Sequence, residues 1–145
     1  MTASMRVRRL DHYNIDTAKP EETVTFYCDV LGAVNDPSRR PDFGFPGAWL
    51  FLDDHPVIHL NFIDEDRTGP TGAFNHIAFE AEGYLELCQR LDEHGIRYAT
   101  NELPEIDLLQ VFVRDPNKVR LEFNIRGECD AVAAARVDGA GSARA

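Results

Sequence analysis

The sequence predicts an α+β protein made of two tandem βαβββ modules, which share one curved mixed sheet and carry a helix from each module on its convex face. Three observations predict this. The chain is internally duplicated: Leu10-Asp11-His12-Tyr13-Asn14-Ile15-Asp16 matches Phe74-Asn75-His76-Ile77-Ala78-Phe79-Glu80, and the stretch from Phe51 to Leu60 resembles that from Phe112 to Glu122. Each copy holds one amphipathic helical segment closed by a glycine, Gly32 in the first and Gly95 in the second. Each copy also holds runs of period-two alternation around a polar turn. Two copies of so long a repeat make a paired module rather than a solenoid.

The elements follow in order. Arg9–Asp16 reads as a strand. Asp16 to Glu22 opens a helix, with a capping candidate, a proline and acids in the first turn; Val24, Phe26, Tyr27, Val30 and Leu31 recur at helical spacing. Asn35–Gly47 is a loop. Trp49–Leu52 and Val57–Phe62 are strands about the turn Asp53-Asp54-His55-Pro56. A polar linker of about nine residues, Asp64–Gly72, leads to the second copy, long enough extended at ~3.3 Å per residue for the modules to pair within a chain or across a dimer. There, Asn75–Glu80 is a strand and Tyr84–His94 a helix with Leu85, Leu87, Cys88 and Leu91 on its apolar side. Tyr98 lies in a short strand, and Leu109–Arg114 and Val119–Ile125 flank the turn Asp115-Pro116-Asn117-Lys118. The expectation is one domain over residues 1–127, with modules at about 7–63 and 73–126, and a flexible Ala/Gly/Arg-rich tail over 128–145.

Composition excludes several functions. The chain has 145 residues, 43% hydrophobic and 28% charged, so it can bury a core without metal staples or disulfides. With 15 basic against 25 acidic residues the net charge is −10, which argues against nucleic-acid or anionic-membrane partners. Cys28, Cys88 and Cys129 are odd in number and lack CxxC spacing, so neither a disulfide framework nor a thiolate zinc site is expected. Arg6, Arg8 and Arg9 are followed by no apolar core, and no run approaches the ~20 residues of a membrane span. A cytoplasmic protein is expected.

Strand parity locates the polar side chains. Ile58, Leu60 and Phe62 point one way and His59 and Asn61 the other; Val119, Leu121, Phe123 and Ile125 oppose Arg120, Glu122 and Asn124. Tyr13 and Ile15 oppose His12 and Asn14, and Ile77 and Phe79 oppose His76. Any one histidine on the wet face of an antiparallel sheet is ordinary surface. Yet three of the five histidines, His12, His59 and His76, fall at matched repeat positions with Glu122 at the fourth, while His55 and His94 fall in a turn and at a helix end. A two-fold arrangement of the halves would bring the four together. Three imidazoles and a carboxylate suit iron(II), zinc, nickel, manganese or cobalt better than magnesium or calcium.

Leu10-Asp11-His12, Phe26-Tyr27-Cys28-Asp29-Val30-Leu31-Gly32, Phe74 to Phe79 and Asp115 to Glu122 together resemble the vicinal oxygen chelate superfamily, over nearly the whole stretch from Leu10 to Ile125. That superfamily spans glyoxalase I, type I extradiol dioxygenases, fosfomycin-resistance transferases, methylmalonyl-CoA epimerase and bleomycin-resistance proteins. The resemblance implies a homodimer and one divalent metal ion bound by His12, His76 and Glu122. It places His59 at a variable fourth position, as ligand or neighbour. It implies a small oxygenated substrate gripped through two neighbouring oxygens, with Glu122 or His59 moving a proton. Asn61, Gln110, Phe112, Arg120 and Asn124 are the substrate-binding candidates. Phe43, Phe45 and Trp49 are candidates for an apolar pocket, Trp49 with a pull toward the core.

The resemblance favours a glyoxalase-like isomerase or lyase. Glutathione adducts are disfavoured as substrates, because Asp16 stands where glyoxalase I carries an arginine for the glutathione carboxylate. The alternative is an iron(II) extradiol dioxygenase. Against it, Phe112 stands where such enzymes have Tyr, residues 100–111 hold no His, and Lys118 replaces the usual turn glycine. Fosfomycin transfer relies on several cations, and Arg120 is the one obvious cation on the metal face. A metal-free binding protein is the third reading, and the intact ligand residues speak against it.

Overall fold

The computed structural model describes residues 1–143. The chain divides into two compact units, Met1–Arg67 and Thr68–Ala145. Each holds a four-stranded mixed sheet of the same topology. In the first unit β1 (Tyr13–Thr17), α1 (Pro20–Leu31), β2 (Val34–Asn35), β3 (Gly47–Leu52) and β4 (His55–Phe62) give the strand order β1-β4-β3-β2. In the second, β5 (Ile77–Ala81), α2 (Tyr84–Glu93), β6 (Tyr98–Leu103), β7 (Leu108–Arg114) and β8 (Arg120–Arg126) give β5-β8-β7-β6, and α3 (Cys129–Ala143) follows. In each sheet the first strand pairs parallel to the last, and the last pairs antiparallel to its predecessor. No described helix is long and apolar enough to cross a membrane.

Helix α1 forms as its sequence dictates. Pro20 occupies the first turn, where its missing N–H costs nothing, with Glu21 and Glu22 beside the positive helix end. Gly32 ends the helix at φ 71°, a left-handed conformation that costs glycine little. Thr23, Phe26, Tyr27 and Val30 form its buried stripe, one face of a 3.6-residue period, and α1 packs on β3. Under it, β3 and β4 bury Leu50, Ile58 and Leu60, while β1 buries Ile15 and Thr17. A side chain at Gly47 would run into the Leu60 carbonyl and the Arg40 guanidinium, so only glycine fits there.

The structure departs from the sequence expectation in three ways. Strand β5 begins at Ile77 and β1 at Tyr13, because ladder pairing with β8 and β4 starts there; His12 and His76 each sit one residue before a strand. Leu85 is exposed, and α2 buries Tyr84, Leu87 and Leu91 instead. The tail expected to be flexible from residue 128 forms α3 through Ala143 and buries Val132; Arg144 and Ala145 lie outside the described residues. Glu128, just before α3, explains part of this order. Its two carboxylate oxygens accept the Gly83 and Tyr84 N–H groups at 2.8 and 3.0 Å, capping α2 from 44–45 residues away.

Candidate functional site

In the first unit the polar face is built around His59. Cross-strand register sets Trp49 of β3 opposite His59 of β4, and the rings stack at 4.4 Å and 16°. His12 covers the other side of the imidazole, with centroids 3.7 Å apart and planes 11° from parallel. Trp49 therefore serves the polar face rather than the core. Phe43 leans on Trp49 at 5.9 Å and stacks on Phe45 at 5.8 Å, and both phenylalanines are about half exposed. The Arg40 guanidinium lies over both rings. These aromatics wall the side of the face next to His59.

Hydrogen bonds fix the ring nitrogens. His12 Nδ1 donates to the Asp11 carboxylate at 2.6 Å, which in the neutral ring leaves Nε2 with the lone pair. That bond holds the Asp11 carboxyl below its ordinary range. His55 Nε2 meets the Asp11 carbonyl at 2.8 Å. His59 Nε2 is buried with no hydrogen-bond partner. Burial, then the neighbouring His12, lowers the His59 pKa, so this ring favours its neutral form.

The second unit repeats the device with its own chemistry. His76 Nδ1 donates to Asn75 Oδ1 at 2.7 Å, and the same oxygen accepts Arg120 Nη1 at 3.2 Å. Two donors on one atom identify it as the amide oxygen. His76 Nε2 then stands 3.6 Å from Glu122 Oε1. Glu122 Oε2 accepts Asn124 Nδ2 at 2.9 Å, Asn124 Oδ1 accepts Gln110 Nε2 at 3.0 Å, and Gln110 Oε1 accepts Asn101 Nδ2 at 3.0 Å. This amide ladder pins one carboxylate oxygen and leaves the other toward His76.

These donors fit a divalent cation chemically. The 3.6 Å His76–Glu122 separation is too long for a hydrogen bond. It is close to the ~3.4 Å expected between two atoms that each bond a tetrahedral ion at ~2.1 Å. An unpartnered buried imidazole nitrogen at His59 is a second, independent fit. Imidazoles oriented through Nδ1 by an oxygen acceptor are the usual supported form of a ligating histidine. Among the described residues, no three His, Cys, Asp or Glu side chains are gathered into a group able to hold a metal ion.

The substrate-binding candidates divide by what they touch. Gln110 and Asn124 belong to the ladder that orients Glu122. Asn61 donates to Asp16 at 3.0 Å, and Asp16 also accepts Arg67 at 2.7 Å, so the acid that disfavours a glutathione carboxylate is already paired. Phe112 sits directly opposite Glu122 across β7 and β8, with the Arg120 guanidinium 5.1 Å above its ring. Asp11, Asn75 and Asn101 were not among the sequence candidates. The repeated dipeptides Asp11-His12 and Asn75-His76 carry the signal that could have found the first two; Asn101 follows only from the β6–β7 register.

Comparison with known proteins agrees with this architecture. The profile of the Glyoxalase/Bleomycin resistance protein/Dioxygenase superfamily matches residues 9–123. A protein of Arabidopsis thaliana named Glyoxylase I 4 is 32% identical over 128 residues, which cover 82% of this chain and 71% of that one. The crystal structure of a glyoxalase/dioxygenase from Nostoc punctiforme superposes with a TM-score of 0.68 at 17% identity, over 88% of this chain and all of that one. Lactoylglutathione lyase from Agrobacterium tumefaciens superposes at 0.59 and 15% identity, over 83% of this chain and 96% of that one. With paired βαβββ units, a family profile over most of its length and a relative above 30% identity, the chain belongs to the Glyoxalase/Bleomycin resistance protein/Dioxygenase superfamily, the vicinal oxygen chelate proteins.

Proposed function

We propose that this protein is a divalent-metal-dependent, glyoxalase-like enzyme of the isomerase or lyase type, acting on a small substrate with two neighbouring oxygens. The observation that carries the reading is the Asn75–His76–Glu122 arrangement. An imidazole oriented through Nδ1 presents Nε2 at 3.6 Å from a carboxylate oxygen whose twin is held by an amide. His12, His59, His76 and Glu122 would be the ligands, with Asp11 and Asn75 as the supports that fix two of the rings. The cation, when bound, would supply Lewis acidity toward vicinal substrate oxygens.

The chain's own residues supply the rest. Glu122 Oε1, the oxygen that the Asn124 amide leaves free, is suited to accept a proton, and His59, were it to stand off the cation, is the alternative base through its buried, unpartnered Nε2. General acid–base help of this kind is typically worth ~10²–10⁴ in rate. Trp49, Phe43 and Phe45 would shield His59 from water. Phe112 offers no hydroxyl opposite Glu122, which weighs against ring-cleavage chemistry of the usual kind. The family reading also leads us to propose a homodimer, and a monomer mass by light scattering would count against it.

The test is metal loading of the full chain followed by elemental analysis. The expectation is about one divalent ion per chain in the wild type, lost in His12→Ala/His76→Ala with the circular dichroism spectrum preserved. Full stoichiometry in the double variant would overturn the reading. Reconstitution with iron(II), manganese, nickel or zinc, followed by catechols and 2-oxoaldehyde thiol adducts, identifies the reaction. Oxygen uptake on a catechol would replace the isomerase reading with the dioxygenase one.

A further inference from the structure

The register of β6, β7 and β8 sorts their polar-face residues into rows. Asn101, Gln110 and Asn124 make one row, the ladder to Glu122. Ala99, Phe112 and Glu122 make the next. Two residues further along the strands, Arg114 pairs directly with Arg120, and Arg97, just ahead of β6, continues that row. Sequence reading found only Arg120 on this face. Arg114 shares it because β7 residues 110, 112 and 114 point the same way.

These side chains line an open groove of about 630 Å³, where Arg97, Arg114, Lys118 and Arg120 surround Phe112 and Ala99. That volume suits a small ligand. The charge is what sets the groove apart. The chain as a whole is at −10. Four arginines elsewhere in the chain are ion-paired: Arg39 with Asp54, Arg67 with Asp16, Arg90 with Glu86 and Arg136 with Glu102. Among the described residues, no carboxylate forms an ion pair with any of the four groove cations. Arg114 Nη1 donates to the Lys118 carbonyl and Arg120 Nη1 to Asn75 Oδ1, both neutral acceptors that position a guanidinium without cancelling its charge. Arg114 directly opposite Arg120 is an unfavourable cross-strand pair unless an anion lies between or above them. Lys118 is held at φ 66°, uncommon for a residue with a side chain, and keeps a fourth positive charge at the rim.

We propose that this groove is an oxyanion subsite, which takes the carboxylate or phosphate group of a small organic anion while the body of that molecule lies on Phe112. Guanidinium pairs grip such groups through paired N–H donors. The strand spacings place the Cα atoms of Arg114 and Arg97 roughly 8 and 12 Å from that of Glu122. An acid with its reactive oxygens at Glu122 and His76 would therefore reach the cations with a short chain or a ring between. Its role as the tail site of the substrate rests on the metal-enzyme reading above; its affinity for oxyanions does not.

The experiment titrates inorganic phosphate, and separately malonate, into the uniformly 15N-labelled full chain, with sodium chloride at matched ionic strength as reference. Saturable shifts at Ala99, Phe112, Arg114 and Lys118, with a dissociation constant below about 10 mM, are expected from at least one of the two anions. The anion that saturates tells phosphate from carboxylate. Arg97→Gln/Arg114→Gln should weaken binding about tenfold or more, and Arg39→Gln should leave it unchanged. If the double variant loses its spectral dispersion, exposed Arg97→Gln alone serves, with about threefold weakening expected. Linear shifts matching chloride for both anions, or unchanged affinity in the folded variants, would overturn the proposal. Glu122→Gln separates the two readings. Phosphate binding retained with metal lost supports both, metal retained in that variant overturns the metal reading alone, and normal metal titration without oxyanion binding overturns the groove alone.

Discussion

Asp115 shapes the turn that leads into β8 and Glu122, and its replacement makes a quantitative test. Its carboxylate is buried and its Oδ1 accepts the Asn117 and Val119 N–H groups at 2.8 and 2.9 Å. The main chain closes the same turn through Asp115 N–H to the Val119 carbonyl and Lys118 N–H to the Asp115 carbonyl. Strand β8 starts one residue later, so the side chain sets the entry angle of Arg120 and Glu122. Asp115→Ala leaves two little-exposed N–H donors without an acceptor, at about 1–3 kcal/mol each; allowing for water entry, the loss should be about 2–4 kcal/mol. With a urea slope near 2 kcal/mol/M for a chain of this size, the midpoint should fall by about 1–2 M. Asp115→Asn keeps an oxygen acceptor without its charge and should cost about half as much. Metal affinity should fall in the same order, because the His76–Glu122 separation is set by where β8 begins. A midpoint for Asp115→Ala within about 0.3 M of wild type would refute the reasoning.

Glu128→Ala removes the carboxylate that caps α2 through two backbone N–H groups and should cost about 1–2 kcal/mol in chemical denaturation, most of it absent in Glu128→Gln. Lys118→Gly relieves a left-handed side-chain-bearing residue and should raise stability by about 1 kcal/mol, while weakening phosphate binding in the groove. Burial first, and the neighbouring Asp92 next, pushes the Tyr98 phenol up from 10.0 to about 12. The neutral phenol is thus the form favoured by folding, so its contribution is whole below pH 10 and is lost as pH climbs toward 12. Absorbance titration at alkaline pH should show a phenolate phase near pH 12 that Tyr98→Phe removes.

The paired modules were legible because duplication and alternation are local. Period-two runs fixed which residues of β4 and β8 share a face, and Gly32 and the acids at Glu21 and Glu22 bounded α1 without help from tertiary contacts. The same parity put His59 and Glu122 on polar faces, and the repeat singled out His12 and His76 although both lie just outside the strands. Element ends were less legible, since a strand stops where its partner stops. The C-terminal segment misled because its Ala- and Gly-rich composition has no apolar period, whereas Val132 gains its burial from the fold.

By itself, then, the sequence determined the chemistry on offer: three imidazoles and a carboxylate at matched positions in a twofold repeat. Tertiary structure decided how those groups are tuned. Only folding stacks His59 between His12 and Trp49, which buries Nε2 and favours the neutral ring. Only cross-strand register joins Asn101, Gln110 and Asn124 into the ladder that holds Glu122, and sets Arg114 beside Arg120 and in line with Arg97. The physical reason is that parity along one strand is written in consecutive residues, while the neighbour across the sheet depends on how two distant segments align. A shift of one residue in that alignment would send every one of these side chains to the other face.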